Sequence, residues 1–358
     1  MNMHQISKVE INKMLYMAIF LMLMTVCTKT IRRSLDDKRF FSERSYWNQP
    51  VKSGAKADER SQEWIELLKS EPNTPNIGIN AFHWTIPVYE VNEQTPTCTI
   101  YKHKLSEIEK EHWDTKRDYF GHGPGFGKNV PIPDHALPDP EEDAHFAIVD
   151  WEKKTAWDMW GFRVRADGKF ESNTGMKYSL SGEGVFRTED FAINNGESVH
   201  FHGPSRASGV PAIAGLIMYD EIMSGKIEHK LALATRFAAF QEYVYPASWT
   251  DGYTHGGIPE GSIIQLDPET DLKQFELTKG EIIVARALQE YGAVVVDVAQ
   301  GTPLYAEGLW AHPDKSWQGI LREWDGGICT IPIENYRVLE IGETIKQGDA
   351  RSLKHPYW

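Results

Sequence analysis

Cysteine and positive charge are both scarce in this chain, and each shortage excludes a class of function. Three cysteines occur, Cys27, Cys98 and Cys329, with no CxxC or Cys/His zinc spacing. A disulfide framework and a zinc site are therefore not predicted, and Cys98 and Cys329 are either a pair or two free thiols. The net charge of -13 opposes non-specific nucleic-acid binding, which depends on surplus Lys and Arg. An anionic ligand would need a local basic pocket.

Several sequence signatures of catalysis are also missing. The chain has no Gly-x-Ser-x-Gly elbow, His-Glu-x-x-His helix, Walker loop or dinucleotide fingerprint, and it shows no internal repeat. The sequence therefore requires no cofactor, and it leaves open whether one is used.

No apolar run is long enough for an ordinary transmembrane helix. The longest, residues 14–26, follows Lys8 and Lys13 and spans about thirteen residues, which suits the core of a signal peptide. Lipidation of Cys27 is one alternative, although Val26 departs from a lipobox; an uncleaved anchor is another. We predict a signal peptide over 1–27, a tether over 28–44 and a single β-rich catalytic domain over 45–358. Export would place it in the periplasm or at the outer membrane or cell surface.

Strand patterns dominate the centre of the chain. Residues 145–150 and 156–165 are predicted to be strands joined by a turn at 151–155, and an Asp-Gly turn at 166–169 leads into a third strand at Phe170. Amphipathic helices are predicted over 58–68, with Asp58 as N-cap, over 213–223 and over 280–291. The pattern predicts a mostly β fold, an antiparallel β-sandwich of jelly-roll type with several short helices. An α+β arrangement is the alternative.

The densest cluster of reactive side chains lies between Ser198 and Arg206. His200 and His202 are two residues apart, so on a strand both side chains point to the same face. Arg206 follows a Gly-Pro turn, and an arginine can hold a carboxylate with two parallel hydrogen bonds while a histidine moves a proton. A metal site, which needs a third ligand, and a structural histidine pair are the alternatives.

Carbohydrate binding is suggested by Trp157, Asp158, Met159 and Trp160. Alternation along a strand places Asp158 and Trp160 on one face, where an indole stacks on a sugar ring and a carboxylate accepts hydroxyl hydrogen bonds. Alternatively, both tryptophans belong to the core.

A third segment carries polar and aromatic residues with loop chemistry. It predicts a substrate-facing rim that includes Tyr245, Trp249 and His255. Tyr245 would act as acid or base if an adjacent cation lowered its pKa. His145 and His229 are further candidates for proton transfer.

The chain resembles a family of exported proteins from carbohydrate-degrading bacteria. The resembling stretches are 46–50, 143–160, 205–211, 219–229 and 245–247. In size and export the chain is similar to oligosaccharide dehydratases that act in ulvan breakdown. The resemblance implies elimination at a uronic acid to give a 4,5-unsaturated sugar, and it carries over no catalytic residues.

The first hypothesis is a carbon–oxygen lyase acting on uronate-containing oligo- or polysaccharides. Arg206 would clamp the carboxylate while His202 and Tyr245 transfer protons, with His145, His200 and His229 in reserve. Asp158, Trp160, Trp249 and His255 would bind the sugar, and no metal site is assigned.

Two other functions compete with this hypothesis. A glycoside hydrolase would use acids such as Asp158 and Glu221 and would release new reducing ends. A surface glycan-binding protein would bind without turnover.

Overall fold

The computed structural model describes residues 38–72, 74–112, 121–123, 125–186, 205–309 and 312–346, and the statements below concern these residues. Contact clustering divides the chain into Met1–Arg39 and Phe40–Trp358, and every element below lies in the second unit. The predicted signal peptide and most of the predicted tether lie outside the described residues. In the described part, no helix is both long and apolar enough to cross a membrane.

The mostly β prediction is confirmed, because strands make up 27% and helices 16% of the structure. The strands are β1 (Ile77–Asn80), β2 (Val88–Val91), β3 (Thr97–Cys98), β4 (Ile100–Lys102), β5 (Val130–Pro131), β6 (Phe146–Asp150), β7 (Thr155–Trp160), β8 (Arg163–Val164), β9 (Phe170–Ser172), β10 (Thr174–Ser179), β11 (Leu231–Ala234), β12 (Ala238–Tyr243), β13 (Ile258–Glu260), β14 (Ile263–Leu266), β15 (Ala293–Asp297), β16 (Thr302–Tyr305), β17 (Tyr336–Val338) and β18 (Ile345–Lys346). The α-helices are α1 (Ser61–Lys69), α2 (Glu107–His112), α3 (Tyr219–Ser224) and α4 (Lys279–Glu290). Short 3-10 helices cover Tyr46–Asn48, Leu272–Gln274, Gly327–Thr330 and Ile333–Asn335.

The largest sheet has six strands in the order β1-β16-β11-β15-β14-β17. Its β1–β16 and β11–β15 pairs are parallel, whereas β11–β16, β14–β15 and β14–β17 are antiparallel. The predicted antiparallel sandwich of jelly-roll type is therefore not confirmed. A second sheet has the order β10-β7-β6-β2, and smaller sheets join β13-β12-β18, β4-β9-β8 and β3-β5.

Both faces of the six-stranded sheet are covered. In β11, Leu231 and Leu233 point into a core shared with Trp64 of α1 and Leu288 of α4, because side chains alternate along a strand. The intervening Ala232 and Ala234 belong to a different core. Strands buried on both faces are continuous apolar runs, as β11 and β15 are.

The second core joins the six-stranded sheet to the four-stranded sheet. It contains Ala232 and Val294 from the first and Val149 and Met176 from the second. The opposite face of the four-stranded sheet packs into a third core, which includes Trp157 of β7. The second core positions the candidate site, because Tyr305, one of its members, lies against the guanidinium of Arg206.

Three local predictions were wrong. The helix expected over 213–223 is reduced to α3, because Gly215, with φ of 72°, accepts a hydrogen bond from Ala232 N at 2.8 Å and sits too close to β11 for a side chain. The strand expected over 156–165 ends at Trp160, since Gly161 has φ of 68°.

The third concerns the first helix, α1. It begins at Ser61, and Asp58 is not its N-cap; instead Asp58 Oδ1 accepts a hydrogen bond from Arg60 N at 2.9 Å.

Of the two alternatives for the cysteines, the structure has the second, because Cys98 and Cys329 are free thiols.

Candidate functional site

Arg206 is wholly buried beside the core that joins the two large sheets. Its guanidinium carbon lies 3.9 Å from the ring centroid of Tyr305, at the end of β16. Its Nη2 donates to the Ala212 carbonyl at 3.2 Å. Its Nε and Nη1 have no hydrogen-bond partner among the described residues. A buried arginine with two unpartnered guanidinium nitrogens is unusual, because buried polar groups are nearly always paired.

The backbone around Arg206 is attached to both sheets. Ser205 N donates to Asp158 Oδ1 at 3.2 Å on β7, and Ser208 N donates to the Val296 carbonyl at 3.3 Å on β15. A turn closes between them, since Gly209 N donates to the Arg206 carbonyl at 3.0 Å. These attachments insert the arginine side chain between the sheets.

Asp158 is the carboxylate that organises this region. It is fully buried and accepts hydrogen bonds from Ala212 N at 2.6 Å and Tyr178 Oη at 3.1 Å, in addition to Ser205 N. Burial raises its pKa to about 7, although these hydrogen bonds and the charge of Arg206 act in the opposite direction. Asp158 is therefore able to hold or release a proton near neutral pH.

His145 precedes β6 and is also buried. Burial, and then the charge of Arg206, lower the pKa of its imidazole to about 3, so the ring is neutral. Its Nδ1 has no hydrogen-bond partner among the residues that the structure describes. His145 thus contributes an unused ring nitrogen beside the cation.

Four further carboxyl groups face the same region, and their pKa values are raised chiefly by burial. They are Asp143, Asp251, Glu260 and Asp297. Burial raises the pKa of Asp251 to about 6, and the charge of Asp251 raises the pKa values of Glu260 and Asp297 further. The charge of Arg206 lowers the pKa of Asp143 and of Asp297, opposing burial. We call Arg206, His145, Asp158 and these four acids the Arg206 site.

The site includes only some of the residues predicted from the sequence. Arg206, His145 and Asp158 come together, and Trp160 joins them because its Nε1 donates to Asp143 Oδ1 at 2.9 Å. The backbone of Trp249 lies beside the segment that carries Arg206, since Trp249 N donates a hydrogen bond to the Ser208 carbonyl at 3.2 Å. His200 and His202 lie outside the described residues. Trp157 is buried in the third core, on the opposite face of β7 from Asp158.

Other predicted residues make contacts elsewhere. The ring of Tyr245 packs edge-on against Tyr46 with centroids 5.2 Å apart, and burial and the charge of Glu183 raise its pKa, opposite to the lowering that would activate it. The His229 ring contacts Glu221 Oε2 at 3.0 Å. Glu221, one of the acids named for the hydrolase hypothesis, therefore pairs with His229.

His255 contacts Phe240, with ring centroids 4.6 Å apart, and it is exposed. Within the described ranges, no group of three or more His, Cys, Asp or Glu side chains is arranged to hold a metal ion.

Sequence reasoning missed Asp143, Asp251, Glu260 and Asp297. Asp297 did carry a signal, because it ends the buried run Ala293–Asp297, where an acidic residue must find a polar environment. Glu260 likewise ends β13 and is fully buried.

Comparison with known proteins gives no further assignment. No family model, no curated protein and no solved structure matches the chain.

Proposed function

We propose that this chain is an exported carbon–oxygen lyase acting on uronate-containing oligo- or polysaccharides. The observation that carries the proposal is that two guanidinium nitrogens of buried Arg206, Nε and Nη1, have no hydrogen-bond partner among the residues that the structure describes. An unpaired buried donor costs about 1–3 kcal/mol, so a ligand that supplies acceptors is favoured there. A sugar carboxylate has two oxygens with the spacing that a guanidinium binds.

The surrounding groups support elimination. Arg206 would neutralise the carboxylate and stabilise the charge that develops when the C5 proton leaves. His145 is neutral at physiological pH, and its Nδ1, which has no hydrogen-bond partner within the described ranges, would accept that proton. The C5–H electrons form the C4–C5 double bond, the C4–O bond breaks, and the departing oxygen takes a proton.

A protonated carboxyl group of the site is the proposed source of that second proton. Asp158, with a pKa of about 7, and Asp251, with a pKa of about 6, both remain partly protonated near neutral pH. The proton count then balances, because one acid loses a proton while His145 gains one.

Glycoside hydrolysis is a second candidate, and one observation favours it. Burial raises the pKa values of Asp251 and Glu260, and the charge of Asp251 raises that of Glu260 further, so the two carboxyl groups interact as an acid and its partner carboxylate do in hydrolases. A hydrolase would release reducing ends without forming an unsaturated sugar.

A panel of uronate oligosaccharides separates these functions. The wild-type protein and the Arg206→Ala variant are incubated with ulvan and alginate fragments, and ultraviolet absorbance of the unsaturated product and new reducing ends are measured together. We expect a chromophore from the wild type and almost none from Arg206→Ala. Arg165→Ala is the matched control, because Arg165 is an exposed arginine beside Tyr101.

Each other outcome has a defined meaning. Reducing ends without a chromophore would replace the lyase with a hydrolase. Saturable binding without either product would indicate a glycan-binding protein. No binding and no product across the panel would reject the whole substrate class.

A further inference from the structure

Two large aromatic side chains are exposed within three residues of each other. Phe82 and Trp84 follow β1, and 41% and 40% of their surfaces are accessible. Trp84 has φ of 55°, a left-handed conformation that a bulky residue adopts at a cost of about 1–2 kcal/mol. Isolated exposed aromatics are common, but two in one strained turn call for an explanation.

A single carboxylate fixes the start of this turn. Glu323 Oε1 accepts hydrogen bonds from the backbone N of Ala81, Phe82 and His83, at 3.1, 2.7 and 2.9 Å. Its other oxygen contacts His83 Nδ1 at 3.0 Å, and this contact raises the pKa of His83. The histidine is thereby attached to Glu323, while the rings on either side of it stay exposed.

A second carboxylate fixes the end of the turn and connects it to the Arg206 site. Asp139 Oδ2 accepts from Thr85 N at 2.9 Å and from Thr85 Oγ1 at 2.6 Å. Asp139 N in turn donates to the carbonyl of His145 at 3.0 Å. The aromatic turn and the proposed base are therefore separated by one hydrogen-bonded residue.

We propose that Phe82 and Trp84 form a subsite that stacks a neutral face of a neighbouring sugar unit in the same saccharide chain. Aromatic faces match the C–H faces of a pyranose, and ring stacking is sensitive to shape and insensitive to the net charge of the sugar. The subsite would bind a saccharide chain whose uronate occupies the Arg206 site. This inference rests on the proposed function, since that function identifies the occupant.

Binding measured against chain length tests the subsite. Calorimetric titration of the wild type, Phe82→Ala and Trp84→Ala is carried out with a ladder of uronate oligosaccharides from one to six units. Losing one stacked ring should weaken binding of the longer members roughly 3- to 10-fold and leave the monosaccharide unchanged. KM for long substrates should rise with kcat unaltered. Tyr101→Ala is the matched control, since Tyr101 is 42% exposed on β4.

Substitution of Glu323 checks the role of the turn itself. Glu323→Ala should reproduce the length-dependent loss, whereas Glu323→Gln, which keeps an amide oxygen as acceptor, should retain most of the binding. Thermal unfolding of every variant confirms that the fold is intact. Wild-type binding by both Glu323→Ala and Trp84→Ala would overturn the inference.

The two proposals fail in different ways. An unsaturated product formed equally fast from long substrates by wild type and Trp84→Ala would leave the lyase standing and reject the subsite. No product, together with a length-dependent binding loss in Trp84→Ala, would reject the lyase and retain the subsite. A loss that is the same for the monosaccharide and the hexasaccharide would reject stacking, because it would indicate damage to the Arg206 site.

Discussion

Two buried regions of this protein combine arginine with carboxylates, and they differ in how completely their hydrogen bonds are made. Glu281, fully buried in α4, accepts from Arg322 Nε at 2.9 Å, Arg322 Nη2 at 2.6 Å, Arg322 N at 3.0 Å and Thr278 N at 2.7 Å. Arg206 is equally buried, yet among the described residues it makes one hydrogen bond, and its Nε and Nη1 have no partner there.

The difference separates a structural role from a binding role. A completed buried ion pair fixes one arrangement of the chain, and removing one partner is costly. A buried arginine whose N–H groups are not all paired carries a free-energy cost in the folded state, and a ligand that accepts hydrogen bonds from those groups can relieve it. The predictions below test this distinction, from the largest expected effect to the smallest.

Removal of Arg206 should have the largest effect of all, and the quantity that it changes is the catalytic rate. For Arg206→Ala we expect kcat/KM on a uronate substrate to fall about 10²- to 10³-fold, since loss of one donor to a developing anion typically costs this much. The substitution also removes the hydrogen bond to Ala212, the packing on Tyr305 and a charge that favours the ionised forms of Asp143 and Asp297, so the rate is measured per folded molecule. A rate within threefold of wild type would show that Arg206 is not the clamp.

Removal of Arg322 should produce the opposite pattern. Arg322→Ala leaves the charge of Glu281 buried, which we expect to cost about 3 kcal/mol in the free energy of unfolding, at the low end because 34% of the Arg322 side chain is exposed. The rate per folded molecule should be unchanged. Adding Glu281→Gln should recover part of the loss, and denaturant unfolding of the single and double variants measures it. Equal stabilities of Arg322→Ala and wild type would remove the contrast between the regions.

Asp158 should make stability depend on pH. Burial raises its folded-state pKa to about 7 from an ordinary 3.8, so the folded protein holds a proton that the unfolded chain has released. The stability that this proton contributes is complete below pH 3.8 and is lost as pH rises through about 7. Relative to Asp158→Asn, which carries no charge, the wild type should lose about 2 kcal/mol between pH 5 and pH 8.

The comparison of variant and wild type at each pH removes the contribution of other groups. His145 acts in the opposite direction, since burial lowers its pKa to about 3 and stability falls as the pH drops below its ordinary 6.5. A difference between wild type and Asp158→Asn that is constant with pH would show that Asp158 keeps an ordinary pKa.

The sequence predicted the local pattern around Asp158 and not its environment. Alternation along 155–160 correctly placed Asp158 and Trp157 on opposite faces of the strand. It could not show that the face of β7 opposite Trp157 is also covered, because residues that cover it come from β15 and β16, well over a hundred residues later. The parallel β11–β15 pair, which helps to place Asp297 near Arg206, leaves no signal in local periodicity.

Helix α4, in contrast, was predicted well, because the residues that determine where it begins and ends lie within the helix or next to it in sequence. Its predicted span, 280–291, differs from Lys279–Glu290 by one residue at each end, because Thr278 and Glu281 form a capping box that the sequence itself encodes. In contrast, the 213–223 prediction failed where Gly215 approaches β11, a contact that helical spacing cannot reveal.

The smallest effect should come from Thr278, which supports the completed pair. Its Oγ1 accepts from Glu281 N at 3.1 Å and also donates to the Ile320 carbonyl at 2.5 Å. Thr278→Ala should cost about 1 kcal/mol of unfolding free energy, as loss of an N-cap usually does, and Thr278→Ser should restore most of it. Because Thr278 N and Arg322 still bind Glu281, the ion pair should survive, so combining Thr278→Ala with Arg322→Ala should destabilise by more than either alone. If Thr278→Ala alone lowered the unfolding free energy as much as Arg322→Ala, the Thr278 cap and the Arg322–Glu281 ion pair would form one cooperative unit. The Arg206 site would then have to be compared with that whole network.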